Sequence, residues 1–246
     1  CHMHWADYTA QRLMERGGKQ VSASGITPSG EFHIGHLREI LSAEMIHRAC
    51  LDAGMSSKYI FIVDSMDPLR RVYDFLSPEY EEFIGCPLAY IPAPDEDGSP
   101  GDGSVTYADH FLSPFLDSLE QIGVRPEVVM NHETYERGLF AEYIDSAITN
   151  REEIRSIIQQ ISGRELPHDW FPYNPMGSGG SMDGVTVTGY EKPYVVWRDS
   201  SGNEGKSDIR KAHGKMPWRV DWAARWVIHG ITCEPAGKDH GAAGGS

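Results

Sequence analysis

The four cysteines of this 246-residue chain, Cys1, Cys50, Cys86 and Cys233, have no short paired spacing. No zinc motif can be drawn from them, and a disulfide framework is not expected at this length. A reducing cytoplasm suits such a chain. Long hydrophobic runs are also missing: none approaches the ~18 apolar residues of a membrane span, so no membrane association is expected. The opening Cys1-His2-Met3-His4-Trp5 lacks the apolar region of a secretory leader, and its His2-Met3 pair looks like a cloning junction. Positive charge is scarce. Against 36 acidic residues stand 22 basic ones, a net charge of −14, with no Lys/Arg cluster beyond Arg70-Arg71. That balance argues against a strong nucleic-acid surface on this chain alone. Hydrophobic content of 40% is nevertheless ample for a buried core.

What is present concentrates in Ser22 to Glu39, S-A-S-G-I-T-P-S-G-E-F-H-I-G-H-L-R-E. The pattern predicts a strand over 20–26, a tight Thr27-Pro28-Ser29-Gly30 turn, and a helix from Ile34. His33 and His36 sit at the mouth of that helix with Gly35 between them. A helix N-terminus offers unpaired N–H donors and about half a positive charge, so it suits phosphates. Residues three apart share a helix face, so both imidazoles can donate to one triphosphate. Gly35, with no side chain, lets a flat ring approach the backbone.

Farther along, Lys58 to Asp64 reads as a buried parallel strand, completing a strand–helix–strand unit. Residues 125–131 predict a third strand, 107–122 and 135–161 predict helices, and Val185–Thr188 with Tyr194–Trp197 predicts a hairpin. The fold class expected is α/β with a parallel sheet. The chain divides into 1–64, an irregular insertion 65–106, a helical continuation 107–166 with the third strand, a small β-hairpin insertion 167–214, and 215–246. Within the hairpin insertion, Gly177-Ser178-Gly179-Gly180-Ser181 has the composition of a flexible linker, either a natural loop or an engineered splice. Residues 231–234 predict a last strand, running into Gly237-Lys238-Asp239-His240. A carboxylate there can accept both ribose hydroxyls while Gly237 lets the sugar approach. Both ends of the chain would then meet at the carboxyl edge of one parallel sheet, where such sheets bind ligands. Asp64 and Asp67, at the end of the second strand, are placed either to hold an ammonium group or to lie in a solvated turn. Trp218, Trp222 and Trp226 form one helical stripe, expected as core, with Trp218 the member best placed to line a pocket. His110, His132, His168, His213 and His229 show no ligand-like grouping and read as structural or surface residues.

Five segments together are similar to those of class I lysyl-tRNA synthetases: H-W-A-D-Y-T-A from His4, the Ser22–Glu39 stretch, S-D-I-R-K-A-H-G-K from Ser207, W-R-V-D-W-A-A-R-W from Trp218, and E-P-A-G-K-D-H from Glu234. The resemblance implies a Rossmann-like doubly wound sheet with an inserted connective region. It also implies an activity, lysine plus ATP (with Mg2+) giving lysyl-adenylate and pyrophosphate, followed by transfer to tRNA(Lys). By motif position, catalytic His33 and His36 act at the phosphates. Thr27, Pro28, Ser29, Gly30, Gly35, Gly237 and Asp239 hold ATP, and Gly25, Thr27, Trp218 and His240 line the lysine site. Asp64 or Asp67 would contribute an acidic pocket for the lysine side chain.

Three departures from the family stand out. The downstream Lys-Met-Ser-Lys-Ser motif and the helical anticodon-binding region are missing from this sequence. Gly177–Ser181 and Arg198–Asn203 stand where many relatives carry zinc-type cysteine pairs, so no metal is expected. The expectation is therefore a truncated or engineered catalytic domain, a monomer with impaired adenylation and weak or absent tRNA binding. The alternatives are a fragment that binds ATP, lysine or lysyl-adenylate without turnover, and a small-molecule adenylyltransferase sharing the H-x-G-H element.

Overall fold

The computed structural model describes residues 3–241, the side chain of Asp239 excepted. The helix α1 (Trp5–Met14) leads into β1 (Lys19–Ile26), then α2 (Ile34–Asp52) and β2 (Ser56–Val63). After an irregular stretch come α3 (Tyr107–Gln121) and β3 (Glu127–Met130). β1, β2 and β3 form one parallel sheet in that order, with Ala23 opposite Ile60 and Ile62 opposite Val129. The apolar run of β2 explains its central place. Tyr59, Phe61 and Val63 pack on one face with α2 and α3, while Ile60 and Ile62 pack on the other with Val21 and Ile231. A strand buried on both faces has no reason to alternate.

α2 is the long helix expected, and its apolar residues divide between two partners. Ile40 and Ala43 face the sheet. Ile46, Ala49 and Cys50, one to two turns on, pack against Ala6, Ala10 and Leu13 of α1. The expected last strand is reduced to a single parallel bridge from Cys233 to Ser22 on the free edge of β1. It is held by Ala23 N–H to the Cys233 carbonyl at 2.9 Å and Thr232 N–H to the Val21 carbonyl at 2.9 Å. β1 therefore has β2 on one side and the chain's last segment on the other. That makes a topological switch point, where ligands enter open α/β sheets.

The helices α4 (Asn131–Glu136), α5 (Ala141–Thr149) and α6 (Arg151–Ser162) follow. Beyond them lies a small β unit. β4 (Asn174–Pro175) precedes β5 (Thr186–Glu191), β6 (Tyr194–Arg198) and β7 (Glu204–Asp208), and β8 (Gly214–Lys215) returns to pair with β4. β5 and β6 form the expected hairpin, and β7 adds a third antiparallel strand. Gly177–Ser181 is a tied turn rather than a loose linker. Gly177 N–H reaches the Ser181 carbonyl, the Ser181 hydroxyl donates to the Ile84 carbonyl, and the Ser178 hydroxyl donates to Asp199. Asp199 also accepts from the backbones of Ser201 and Asn203, so one carboxylate joins the two stretches. The Ser178 hydroxyl above all, then these backbone donors, hold that carboxyl down at about 2. Composition alone misses this, because small polar residues serve equally in linkers and in hydrogen-bonded turns.

The last helix, α7 (Trp218–His229), packs with an inward face that carries charge. Asp221 and Arg225, one turn apart, are both buried. Arg225 donates to Asp221 at 2.8 Å and to Asp64, at the end of β2, at 2.6 Å. Asp221 also accepts from the Tyr135 hydroxyl at 2.5 Å and from Asn131 at 3.2 Å. Removing one partner from a buried pair costs far more than an exposed pair contributes, because the remaining charge is left desolvated. Arg225→Met should therefore lower unfolding stability by about 3–5 kcal/mol in urea titration. A loss below about 1 kcal/mol would show that these carboxylates do not depend on Arg225.

Candidate active site

The helix mouth is built by the histidines themselves. Gly35 N–H donates to His33 Nδ1 at 3.0 Å, and His33 N–H donates to His36 Nδ1 at 3.0 Å. This is a reciprocal cap with imidazoles in the places more often filled by Ser and Glu. Its chemical consequence follows from the tautomer. With both Nδ1 atoms accepting, each neutral ring carries its proton on Nε2, which remains to donate to a ligand. Burial, and then the neighbouring His33, hold His36 below the ordinary imidazole value, so it stays neutral at pH 7. The rings lie 4.0 Å apart between centroids. The preceding turn is fixed by Ser29 N–H to the Thr27 carbonyl at 2.9 Å and by the Tyr107 hydroxyl to the Ser29 carbonyl at 2.6 Å.

Two cavities of about 600 Å³ each flank this element. The first is lined by Thr27, Ser29, Gly30, His33 and His36, and also by His110 of α3. Sequence spacing could not place His110 there, because it arrives from another helix. The second is lined by Gly25, Thr27, Asp64, Asp67, Lys215 and Trp218. Thr27 belongs to both, so a molecule in one cavity can meet a molecule in the other beside its side chain. A larger open groove of about 740 Å³ runs along α3, but of the expected site residues it holds none.

Pro28 is buried in the turn and lines neither cavity. Gly35 is needed sterically: a Cβ there would stand 2.8 Å from the His33 ring. Gly237 faces open space, with nothing within 4 Å of a would-be Cβ. The Asp239 side chain lies outside the described residues. His240 is exposed, with its ring 5.6 Å from Trp222 and 6.4 Å from Trp218.

Two expectations need correction. Trp218, Trp222 and Trp226 do not form core: Trp218 and Trp226 are 39% and 38% exposed. Trp218 stacks on Trp222 and Trp226 tilts against Trp222, each with 4.8 Å between ring centroids, so the three indoles form a wall. The inward face of α7 is taken by the Asp221–Arg225 pair instead. Nor do Asp64 and Asp67 stand open for an ammonium. Asp64 is paired with Arg225, and Asp67 with Lys215 and with the Thr27 hydroxyl at 2.7 Å. Both partners come from residues more than a hundred positions away, which local spacing does not reveal.

Two further carboxylates, Glu39 and the neighbouring Glu234, have no described cation. Glu234 accepts the indole N–H groups of Trp222 at 2.9 Å and Trp226 at 2.5 Å. Glu39 lies one turn beyond His36 on α2. Burial, with the nearby Glu234 and Asp64 carboxylates adding to it, pushes the Glu39 carboxyl up to about 7. Its spacing from His36 was a signal available in the sequence and missed. Among the described residues, no group of three or more His, Cys, Asp or Glu side chains could hold a metal ion.

The geometry defines a class: an α/β domain with a parallel sheet, in which the cavity beside an imidazole-capped helix shares Thr27 with a second cavity rimmed by carboxylates. Comparison with known proteins makes it specific. Residues 3–246 match the family model described as tRNA synthetases class I (K), and the chain belongs to that family. It is 43% identical to the lysine–tRNA ligase of Picrophilus torridus and 44% identical to that of Archaeoglobus fulgidus, in each case over 99% of this chain. Lysine–tRNA ligase 1 of Methanosarcina acetivorans is 41% identical over the same share. The chain spans about half the length of these curated relatives: 47%, 48% and 45%.

Gly35→Ala isolates the histidine cap. Alanine gains about 0.5–1 kcal/mol over glycine inside a helix, while a lost cap costs about 1 kcal/mol, so stability should barely change. The displaced His33 ring should lower ATP affinity by about tenfold or more, equivalent to about 1.4 kcal/mol. Calorimetric titration with ATP and a thermal melt on the same protein check both; unchanged ATP affinity would remove His33 from the nucleotide site.

Proposed function

We propose that this chain activates lysine with ATP, giving lysyl-adenylate and pyrophosphate, the first half of lysine attachment to tRNA(Lys). One observation carries the reading. The cavity holding the histidine cap and the cavity rimmed by carboxylates meet at Thr27.

ATP would lie with its phosphates against the Nε2–H groups of His33 and His36. The lysine carboxylate, at the Thr27 junction, would attack the α-phosphorus. A carboxylate oxygen–phosphorus bond forms and the bond to the β-phosphate breaks, pyrophosphate leaving with the electron pair. Fixed neutral donors aimed at the phosphate oxygens stabilise the charge that builds there and need no proton transfer. Mg2+ would arrive with the nucleotide, held largely by phosphate oxygens and water. The lysine chain would run past Gly25 along the tryptophan wall toward Glu39 and Glu234. The side-chain ammonium would meet two carboxylates that no described cation neutralises. Gly237 and Asp239 are proposed for the ribose, and His240 with Trp218 for the amino-acid side. Attachment to tRNA, a cytoplasmic location and action as a monomer are part of the same reading. No helix among the described residues is long and apolar enough to cross a membrane.

Lysine-dependent exchange of pyrophosphate into ATP tests the reaction. Wild type should exchange, and His36→Ala should lose about a hundredfold or more, the scale of one removed electrostatic donor. Exchange that needs no lysine, or is untouched by this substitution, would overturn the assignment.

The carboxylates proposed for the side-chain ammonium make a pH prediction. Below about 7 Glu39 holds a proton, and an ammonium ligand binds only after that proton leaves. Lysine affinity should therefore weaken as pH falls from 7 to 5, approaching tenfold per unit. Glu39→Gln should abolish the slope and bind lysine weakly throughout. A slope that persists in this variant would assign the titration to another group.

A further inference from the structure

Lys215 occupies an unusual place. It sits in the two-residue strand β8, opposite Asn174 of β4, and is 6% exposed. Its ammonium pairs with Asp67 Oδ1. The other oxygen, Asp67 Oδ2, accepts the hydroxyl of Thr27 at 2.7 Å. Asp67 N–H is tied to the Asp64 carbonyl at 3.1 Å, so the carboxylate is held from its backbone as well. A chain of three polar side chains thus runs from the β unit, across the second cavity, to the residue where the two cavities join.

A threonine hydroxyl has one proton and two lone pairs. Here the proton is committed to Asp67. What Thr27 offers a ligand is therefore its lone pairs alone, which attract an amine cation and give nothing to an anion or carbonyl. We propose that Lys215 is a positioning residue that, through Asp67, fixes the Thr27 hydroxyl as an acceptor and so selects substrates with an ammonium group beside the reacting carboxylate. The inference rests on the lysine-activation reading given above, and names the α-ammonium as the group selected.

The pairing is strong enough to serve. Burial would push the Asp67 carboxyl up, but the Lys215 ammonium and the two hydrogen bonds outweigh it and hold Asp67 below the ordinary carboxylate range. Lys215 shows the same balance: burial alone would lower it, and Asp67 raises it above the ordinary lysine value. Asp67 therefore remains a charged acceptor at neutral pH, and the Thr27 proton has a fixed destination. Without Lys215, the half-buried Asp67 carboxyl loses the charge that offsets its desolvation and shifts toward its protonated form. It could then donate to Thr27, leaving the threonine hydroxyl free to turn its own proton toward the pocket. An arginine in place of Lys215 keeps the charge and the pairing; a methionine keeps only the bulk.

The test compares L-lysine with 6-aminohexanoic acid, which has the same carboxylate and terminal amine but no α-amine. Affinities for both are measured by calorimetry at pH 8 on the wild type, Lys215→Met, Lys215→Arg and Thr27→Val, with ATP affinity as a control. The wild type should prefer lysine by at least tenfold. Lys215→Met and Thr27→Val should each cut that preference to within about threefold, with ATP affinity unchanged in Lys215→Met, and Lys215→Arg should keep the preference. Should Lys215→Met fail to fold, Thr27→Val and Lys215→Arg carry the comparison. A preference retained in Thr27→Val, or retained in a folded Lys215→Met, overturns the proposal and leaves the lysine-activation reading standing. A wild type that binds neither amino compound overturns that reading, and the proposal with it.

Discussion

Arg225 is the residue on which the site depends. Its guanidinium joins Asp64, at the carboxyl end of β2, to Asp221 on its own helix α7. Through Asp221 it reaches Tyr135 and Asn131 of α4. Three elements distant in sequence are therefore located by one cation. Burying charge is expensive and is tolerated only where each group is paired. Because that face of α7 turns inward, the tryptophans turn outward. Gly25 runs directly past the pair: a Cβ there would lie 3.4 Å from Asp64 and 3.5 Å from Arg225. The backbone floor of the second cavity is thus set against an ion pair that cannot shift without exposing a charge.

The same pairings decide which groups are left for ligands. Asp64 and Asp67 are neutralised from within the chain. Glu39 and Glu234 have no described cation, and burial first, then the nearby carboxylates, push the Glu39 carboxyl up to about 7. At the other end, the histidine cap turns two imidazoles into fixed donors. One cavity thus sets the two imidazoles beside Glu31, Asp95 and Glu96, and the other sets Asp64, Asp67 and Asp183 beside Arg70 and Lys215. Thr27 stands between them with its hydroxyl orientation set by Asp67.

The histidine-cap half of this arrangement was legible in the sequence. The strand, the Thr27–Gly30 turn, the glycine between two histidines and the helix are contiguous, and contiguous residues obey local rules. The same holds for the near-continuous apolar run of β2. The second cavity was not legible to the same degree. Asp64 and Asp67 were recognisable as carboxylates at a strand end, but their partners, Arg225 and Lys215, lie far along the chain. The tryptophan stripe was recognisable as a helix face but not as a wet one. Periodicity reports which residues share a face, not whether sheet or ligand lies against it. The decisive clue, charged Asp221 and Arg225 one turn apart on the face next to the tryptophans, acquires meaning only once Asp64 is beside them. The Gly/Ser tract failed for a related reason: its order comes from Asp199 and Ile84, outside the tract itself.

The most direct test of the whole account is the affinity of a non-hydrolysable lysyl-adenylate analogue, one molecule that spans both cavities past Thr27. Two fragments joined in a geometry that satisfies both subsites gain by effective concentration, on the order of a hundredfold or more over either alone. The account requires such a gain over lysine and over AMP measured separately, with the gain lost when either His36 or Glu39 is substituted. An analogue that binds no more tightly than AMP alone would show that the two cavities do not form one site.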